Sequence, residues 1–290
     1  CTLRIVKTSA MADCANEGIG LLEVTSLGSG SCGNALLIHC EGTHLLIDCG
    51  IGVRRLRTAL ATRSLALEDI DAVLLTHEHS DHVRELPRMI LAHKTVVATS
   101  GSARATGIPS ANWVESRTGR PVEIGAVEVF AVPVEHDAAE PCGFHIRSRF
   151  GSVTLLTDLG TRSSAAAEVI AASRLVVLEA NHDEALLRRG PYPLHLQRRI
   201  LSNSGHLSND ACGELLAAGL RGANSLPTVW LAHLSETNNR PALAKQTVER
   251  HLAKSGLRLE VVTLPRRELS CTWSPESAIN GSAQLELDFS

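Results

Sequence analysis

No run of about 18 apolar residues occurs in the 290-residue chain, so no membrane-spanning helix is expected. The first twenty residues lack the long apolar segment of a secretory signal, which makes the cytoplasm the expected compartment. Cysteines stand at positions 1, 14, 32, 40, 49, 142, 212 and 271 with no C-x-x-C pair among them. That scatter argues against a disulfide framework and for reduced, mostly buried thiols. There is no surplus of basic residues either. A formal net charge of -3 excludes binding to nucleic acid by bulk electrostatics, so any such contact has to be local. One local candidate runs from Arg188 to His206, with Arg188, Arg189, Arg198 and Arg199 and no acid. Internal repeats and long low-complexity linkers are lacking too. With 44% hydrophobic and 20% charged residues, the chain reads as one α/β domain over residues 21–264. Residues 1–20 are set apart as an N-terminal extension or an upstream-read start, and 265–290 as a polar, irregular and mobile tail.

What is there begins with apolar runs that read as strands: 21–27, 35–40, 45–48, 72–75, 127–132, 143–147, 153–157, 175–178 and 229–232. The glycine-rich stretch Gly28 to Asn34 joins strand to strand and no lysine follows it, which favours a tight connection over a phosphate loop. Glu41 to His44 fits a hairpin. Leu56 and Leu60 share one face of a basic helix, another helix runs from the end of the histidine cluster to about His93, and a third spans 165–173.

The stretch Thr76-His77-Glu78-His79-Ser80-Asp81-His82 packs three histidines and two carboxylates into seven residues directly after an apolar run. His77 and His79, two apart on extended chain, point to one side, and Asp81 and His82 start a helix that turns back toward them. Histidine with carboxylate suits Zn, Mn or Fe. Further ligand types stand at the ends of later strands: His136, Asp158, Glu179 and His233. Together they can complete two adjacent sites, His77, His79 and His136 on one and Asp81, His82 and His233 on the other, with Asp158 bridging. Two cations so placed would acidify a water and hold both oxygens of a displacement. Isolated histidines (His39, His93, His145 and His251) are read as ordinary core or surface residues.

At these residues the sequence resembles the metallo-beta-lactamase superfamily, whose H-x-H-x-D-H motif matches residues 77–82. The resemblance implies the four-layer alpha-beta/beta-alpha sandwich with a centre of two divalent metal ions between its sheets. Glu179-Ala180, Gly205-His206-Leu207-Ser208 and Leu231 to Ser235 resemble elements of RNase Z enzymes, which raises phosphodiester chemistry above lactam, lactone or thioester hydrolysis. The YycJ-like (WalJ) branch is similar over Thr76 to His82, Val134 to Ala138, Thr157 to Gly160, Glu179 to Asp183, Gly205 to Asn209 and His233 to Ser235 with Asn238-Asn239. Its members act as DNA exonucleases, 5′ to 3′. Asn238-Asn239 replaces the Arg-Tyr of RNase Z enzymes and no tRNA-gripping arm is seen, so tRNA processing is disfavoured. The stretch from Asp158 to His233 is too short for a beta-CASP insertion.

The resemblance implies a DNA exonuclease of DNA repair, with Zn or Mn (Fe fits as well), His206 as general acid oriented by Glu179, and Asp81 in the catalytic set. Hydrolysis of small esters, thioesters or cyclic nucleotides on the same metals is the alternative, and a non-catalytic binding domain is disfavoured by the complete ligand set. Asp48 is expected to support a ligand histidine. His182 and Asp183 fit either a further ligand pair or helix-start and hydrogen-bonding roles. Asn34, Arg198, Arg199, Asn238 and Asn239 are the substrate-side candidates. The terminal Gln284-Leu285-Glu286-Leu287-Asp288-Phe289 resembles a bacterial sliding-clamp-binding peptide through Gln284, Leu287 and Phe289, while its apolar/acidic alternation equally fits a strand packed on its own domain.

Overall fold

The computed structural model of the chain describes residues 3–5, 22–267 and 271–275. In chain order the strands are β1 (Leu3–Ile5), β2 (Leu22–Gly28), β3 (Ala35–Cys40), β4 (Thr43–Ile47), β5 (Ala72–Leu74), β6 (Thr95–Ala98), β7 (Trp113–Glu115) and β8 (Val122–Ile124). They continue with β9 (Val127–Pro133), β10 (Cys142–Ser148), β11 (Gly151–Leu156), β12 (Leu175–Glu179), β13 (Thr228–Ala232), β14 (Val261–Thr263) and β15 (Thr272–Trp273). Two sheets result, one ordered β1-β8-β9-β10-β11-β12-β13-β14 and the other β15-β2-β3-β4-β5-β6-β7. The helices are α1 (Val53–Ala61), α2 (Ser80–Val83), α3 (Leu86–Leu91), α4 (Ser100–Thr106), α5 (Ser164–Ala171), α6 (Glu184–Arg189), α7 (Leu194–Ile200), α8 (Asn209–Gly219) and α9 (Pro241–Lys254).

The central strands are apolar on both faces because both faces are covered. In β12, Leu175 and Val177 enter the core between the sheets, while Val176 and Leu178 pack with α5, α8 and α9 on the other side. In β4, Leu45 and Ile47 face the other sheet and Leu46 joins Leu56 and Leu60 of α1. Three apolar layers between four structural layers make the expected sandwich.

Strand direction then decides where the site forms. β4 and β5 run parallel in one sheet. In the other, β9 and β11 are each antiparallel to β10, and β11, β12 and β13 are parallel, so the ends of β9, β11, β12 and β13 lie on one edge.

The structure departs from the sequence reading in three places. The expected helix from the histidine cluster to His93 is two helices, because Glu85 is drawn off to α1: its N–H donates to Cys49 O at 2.9 Å and its carboxylate accepts from Val53 N at 3.0 Å. Pro87 then suits the first turn of α3. The tail is not irregular throughout from residue 265, since β15 pairs antiparallel with β2 and Trp273 is buried in the inter-sheet core, its Nε1 donating to Thr228 Oγ1. Indole area and a satisfied N–H explain that docking. Helices α8 and α9, which the sequence reading leaves out, cover the outer face of β12 and β13. Residues 6–20 and the clamp-like peptide with Gln284, Leu287 and Phe289 lie outside the described residues.

Candidate metal centre

Two sheets, not one edge of a single sheet, supply the cluster. From the ends of β4 and β5 come Asp48 and the 77–82 stretch; from the ends of β9, β11, β12 and β13 come His136, Asp158, Glu179 and His233. Asp48 (φ 56°), Asp158 (φ 56°) and His233 (φ 53°) adopt the left-handed conformation. Side chains other than glycine rarely do so, and strain of this kind collects where a side chain has a task. It turns each strand end sharply into the cleft.

Two close approaches allow the loops to meet. Gly50 N donates to Asn34 O and Asn34 N to Asp81 O, both in contact with the ligand stretch. A Cβ on Gly50 would lie 1.6 Å from Asp81 O, and one on Gly33 2.4 Å from Gly50 O. Only glycine fits at either position.

His77, His79 and His136 form one group able to hold a cation, and Asp81, His82 and His233 a second; in each, the candidate ligand atoms lie within 4.8 Å of one another. Asp158 stands between them, with Oδ2 3.3 Å from His82 Nε2 and Oδ1 3.9 Å from His136 Nε2. His77, His82 and Asp158 form a group that spans the two. A further cluster joins Asp158, Glu179, His206 and His233.

The unpartnered atoms are a test of whether these residues suit a cation. His77 Nε2, His233 Nε2 and Asp158 Oδ2 are buried without a hydrogen bond. Buried polar atoms are normally paired, and orphans spread over the two ligand groups and the Asp158 between them are what metal ligands look like. The carboxylates behave consistently with this. Asp158 is held well below the usual carboxylate range despite burial, by His233 and His82, and Glu179 is lowered to about 2 against its burial by His206 and His233. Against burial in turn, Asp48 and Asp158 push His82 up to about 10, and Asp158, Asp81 and Glu179 raise His233 well above the ordinary value. Burial first, then neighbouring imidazoles, hold His77 and His136 low. This pocket demands positive charge and offers neutral imidazoles beside it.

The outer nitrogens are fixed one by one, which orients the inner ones. His82 Nδ1 meets Asp48 Oδ2 at 2.7 Å, and Thr76 Oγ1 links Asp48 to His77 Nδ1 at 3.0 Å. His136 Nδ1 donates to Gly205 O at 2.9 Å, and His233 Nδ1 to Glu179 Oε1 at 2.8 Å. Glu179 is fully buried and also receives His206 Nδ1 at 2.9 Å and the N–H groups of Leu159 and Leu207. His206 is the partly exposed member, and its pKa is raised, the Glu179 charge and hydrogen bond outweighing the effect of burial.

Thr76, Ser29 and Gly205 are functional neighbours that sequence reasoning does not single out. Ser29 Oγ accepts from His233 N at 2.8 Å, within the glycine-rich turn whose serines were the available signal. Three expectations change, and one pair of alternatives is narrowed. Asn34 is buried rather than on the substrate side: Oδ1 accepts from Gly30 N, and Nδ2 lies 3.3 Å from Asp81 Oδ2 and 3.0 Å from His82 Nε2. Asn239 is unavailable to substrate, because its amide is used by Ala180 O, Asn181 O, Asn209 and Arg240 N. Asn238 is 1% exposed, too deep for a polymer to touch. Asp183 takes the helix-start role, capping α6 by accepting from Leu186 N at 2.8 Å, and among the described residues neither it nor His182 joins a cluster of candidate metal ligands. Arg198 and Arg199 are exposed on α7, and Arg199 pairs with Asp137, itself 3.4 Å from His136 Nε2.

The chain's similarities agree with this geometry. A family model described as a beta-lactamase superfamily domain matches residues 43–228. The exodeoxyribonuclease WalJ of Streptococcus pneumoniae serotype 2 (strain D39) is 34% identical over 239 residues, covering 80% of this chain and 88% of that protein. The exodeoxyribonuclease YycJ of Bacillus anthracis is 33% identical over 243 residues, covering 81% and 90%. Among solved structures, the metallo-beta-lactamase fold protein YhfI of Bacillus subtilis superposes with a TM-score of 0.66 at 16% identity, covering 88% of this chain and all of the other, and so shares the fold.

Proposed function

The chain belongs to the metallo-beta-lactamase superfamily, in its YycJ-like branch, and is a metal-dependent hydrolase; we propose that it is an exonuclease acting on DNA through two divalent cations. The observation that carries this reading is the pairing of two ligand groups around Asp158 with a buried Glu179–His206 pair beside them. His77, His79 and His136 would hold one cation, Asp81, His82 and His233 the other, and Asp158 both. When bound, the pair supplies Lewis acidity that activates water and neutralises phosphoryl oxygens. The chain's own part is positional. Asp48, Gly205 O and Glu179 fix the tautomers of His82, His136 and His233, so that each inner nitrogen presents a lone pair.

His206 donates the proton to the departing oxygen. Its Nδ1 is engaged by Glu179, which leaves Nε2 for the leaving group and favours the protonated ring. A 5′ to 3′ polarity and a repair role come with the YycJ-like resemblance, Zn or Mn as the native metal with the histidine and carboxylate donors, and a cytoplasmic setting with the scattered free cysteines. A sliding clamp as partner has support from the sequence of Gln284, Leu287 and Phe289 alone; a 281–290 peptide that fails to bind purified bacterial clamp removes it. The functional test is cleavage by the Mn(II)- or Zn(II)-loaded protein of end-labelled DNA, RNA, a cyclic nucleotide and a thioester in parallel. Stepwise loss of nucleotides from DNA is expected. Turnover confined to the thioester or cyclic nucleotide moves the function to small-substrate hydrolysis.

A further inference from the structure

Four arginines gather on the glycine-rich loop between β2 and β3, next to the metal centre but outside its ligands. Arg55 donates to Leu27 O and Arg266 O, and Arg266 to Leu234 O and Ser235 O; both are half-buried and their hydrogen bonds are structural. Arg84 and Arg267 are exposed. Each reaches the loop apex through one guanidinium nitrogen, Arg84 Nη1 to Cys32 O at 3.3 Å and Arg267 Nη2 to Cys32 Sγ at 3.3 Å. A guanidinium has five N–H donors, so most of theirs remain for a ligand. Among the described residues the one acid with an ion pair here, Glu236, is 3.6 Å from Arg267 and exposed, a pairing that water or a phosphate displaces at little cost. The cations also feel one another. The Arg55 guanidinium is held below its usual range, by burial first and then by Arg267 and Arg84 nearby.

The loop's two feet stand on the centre: Ser29 Oγ takes the N–H of His233, and Asn34 Nδ2 lies against Asp81 and His82. The loop is thereby anchored on the Asp81, His82 and His233 group, and its apex is tied to Arg84, two residues past His82. On the other side, Arg199 is tied through Asp137 to the His77, His79 and His136 group. Arginines thus flank both halves of the centre in a chain whose net charge is -3. Planar guanidinium groups suit phosphate oxygens, and the exposed pairings of Arg199 with Asp137 and Arg267 with Glu236 leave donors over for them.

We propose that Arg84 and Arg267 form a phosphate-binding lip that grips the nucleic-acid backbone beyond the scissile bond. The strand then runs from α7 across the centre to the Cys32 loop. This assignment rests on the nuclease reading above. The test compares the metal-loaded wild type with Arg84→Ala/Arg267→Ala on a single-stranded oligonucleotide and on bis(p-nitrophenyl) phosphate, whose single phosphate is the one cleaved and leaves none for the lip. KM for the oligonucleotide is expected to rise at least ten times more than KM for the small diester. The salt slope of log kcat/KM should flatten by about 1.4, for two lost phosphate contacts on a single strand. The Arg84→Lys/Arg267→Lys protein should recover most of the loss. Equal losses on both substrates, or an unchanged oligonucleotide KM and salt slope, overturn the lip while leaving the nuclease reading intact. A wild type that turns over the small diester but no nucleic acid overturns both.

Discussion

Asp48→Asn probes how the fold prepares a ligand it does not itself contain. Asp48 is 2% exposed and accepts from Thr76 N at 2.9 Å, from Thr76 Oγ1 and from His82 Nδ1 at 2.7 Å. The carboxylate requires the proton on Nδ1, so Nε2, facing Asp81 and Asp158, is the nitrogen that gives up its proton in exchange for a cation. Asparagine is nearly isosteric and tolerates the left-handed backbone at φ 56°, so the strand end is kept. Its Oδ1 still serves Thr76, but its amide NH₂ now faces Nδ1, and the hydrogen bond survives only if the proton moves to Nε2. That tautomer cannot ligate. Loss of such an orienting partner weakens metal affinity about 10–100-fold, or roughly 1.4–2.7 kcal/mol. Titration of the metal-free protein with Zn(II) against a chromophoric chelator should resolve two affinities. One is expected to fall by that factor, and the other, assigned to His77, His79 and His136, to stay within about threefold. Two unchanged affinities, or two equal losses, refute the tautomer argument.

His206→Ala is expected to lower DNA cleavage by about 10²–10⁴ while both metals are retained, with a smaller loss on a nitrophenyl ester whose leaving group needs no proton; an unchanged rate on DNA removes the acid role. Gly50→Ala places a Cβ 1.6 Å from Asp81 O and should cost at least about 3 kcal/mol in a urea melt, so wild-type stability contradicts the packing described. Far from the centre, His145 is buried, hydrogen-bonded to Thr154 and held neutral, its pKa lowered to about 4 by burial and then by Arg147. Because the unfolded chain takes up this proton near pH 6.5 and the folded one does not, the contribution is intact above pH 6.5. It is lost as pH falls toward 4 and changes no further below that. His145→Gln should therefore lose about 2 kcal/mol less stability than wild type between pH 7 and 5; equal losses contradict the assignment.

The sequence is most legible where an apolar run ends in a ligand type. Leu74 and Leu75 before His77, or Leu231 and Ala232 before His233, declare both the strand and the residue it presents. Asp48 and Glu179 were readable for the same reason. Asn238 and Asn239 show the limit, since a polar pair after a strand looks like a surface feature until contacts with Ala180, Asn181 and Asn209 bury it. Nothing local announces Thr76, and Ser29 has only its place in the glycine-rich turn, because each hydroxyl acts through a partner distant in sequence, Asp48 and His233. The left-handed turns at Asp48, Asp158 and His233 carry no glycine to mark them, because the side chain is what the turn exists to place. Helices α8 and α9 did carry signals, with Ser208 capping one and Pro241 opening the other, but small residues in α8 blur its apolar stripe.

In the proposed centre seven side chains hold two cations and Asp158 belongs to both. Elemental analysis of metal-replete wild type and Asp158→Ala measures it directly. Two transition-metal ions per wild-type chain and no more than one in the variant are predicted. Fewer than one ion per wild-type chain, or a variant that keeps two, contradicts it.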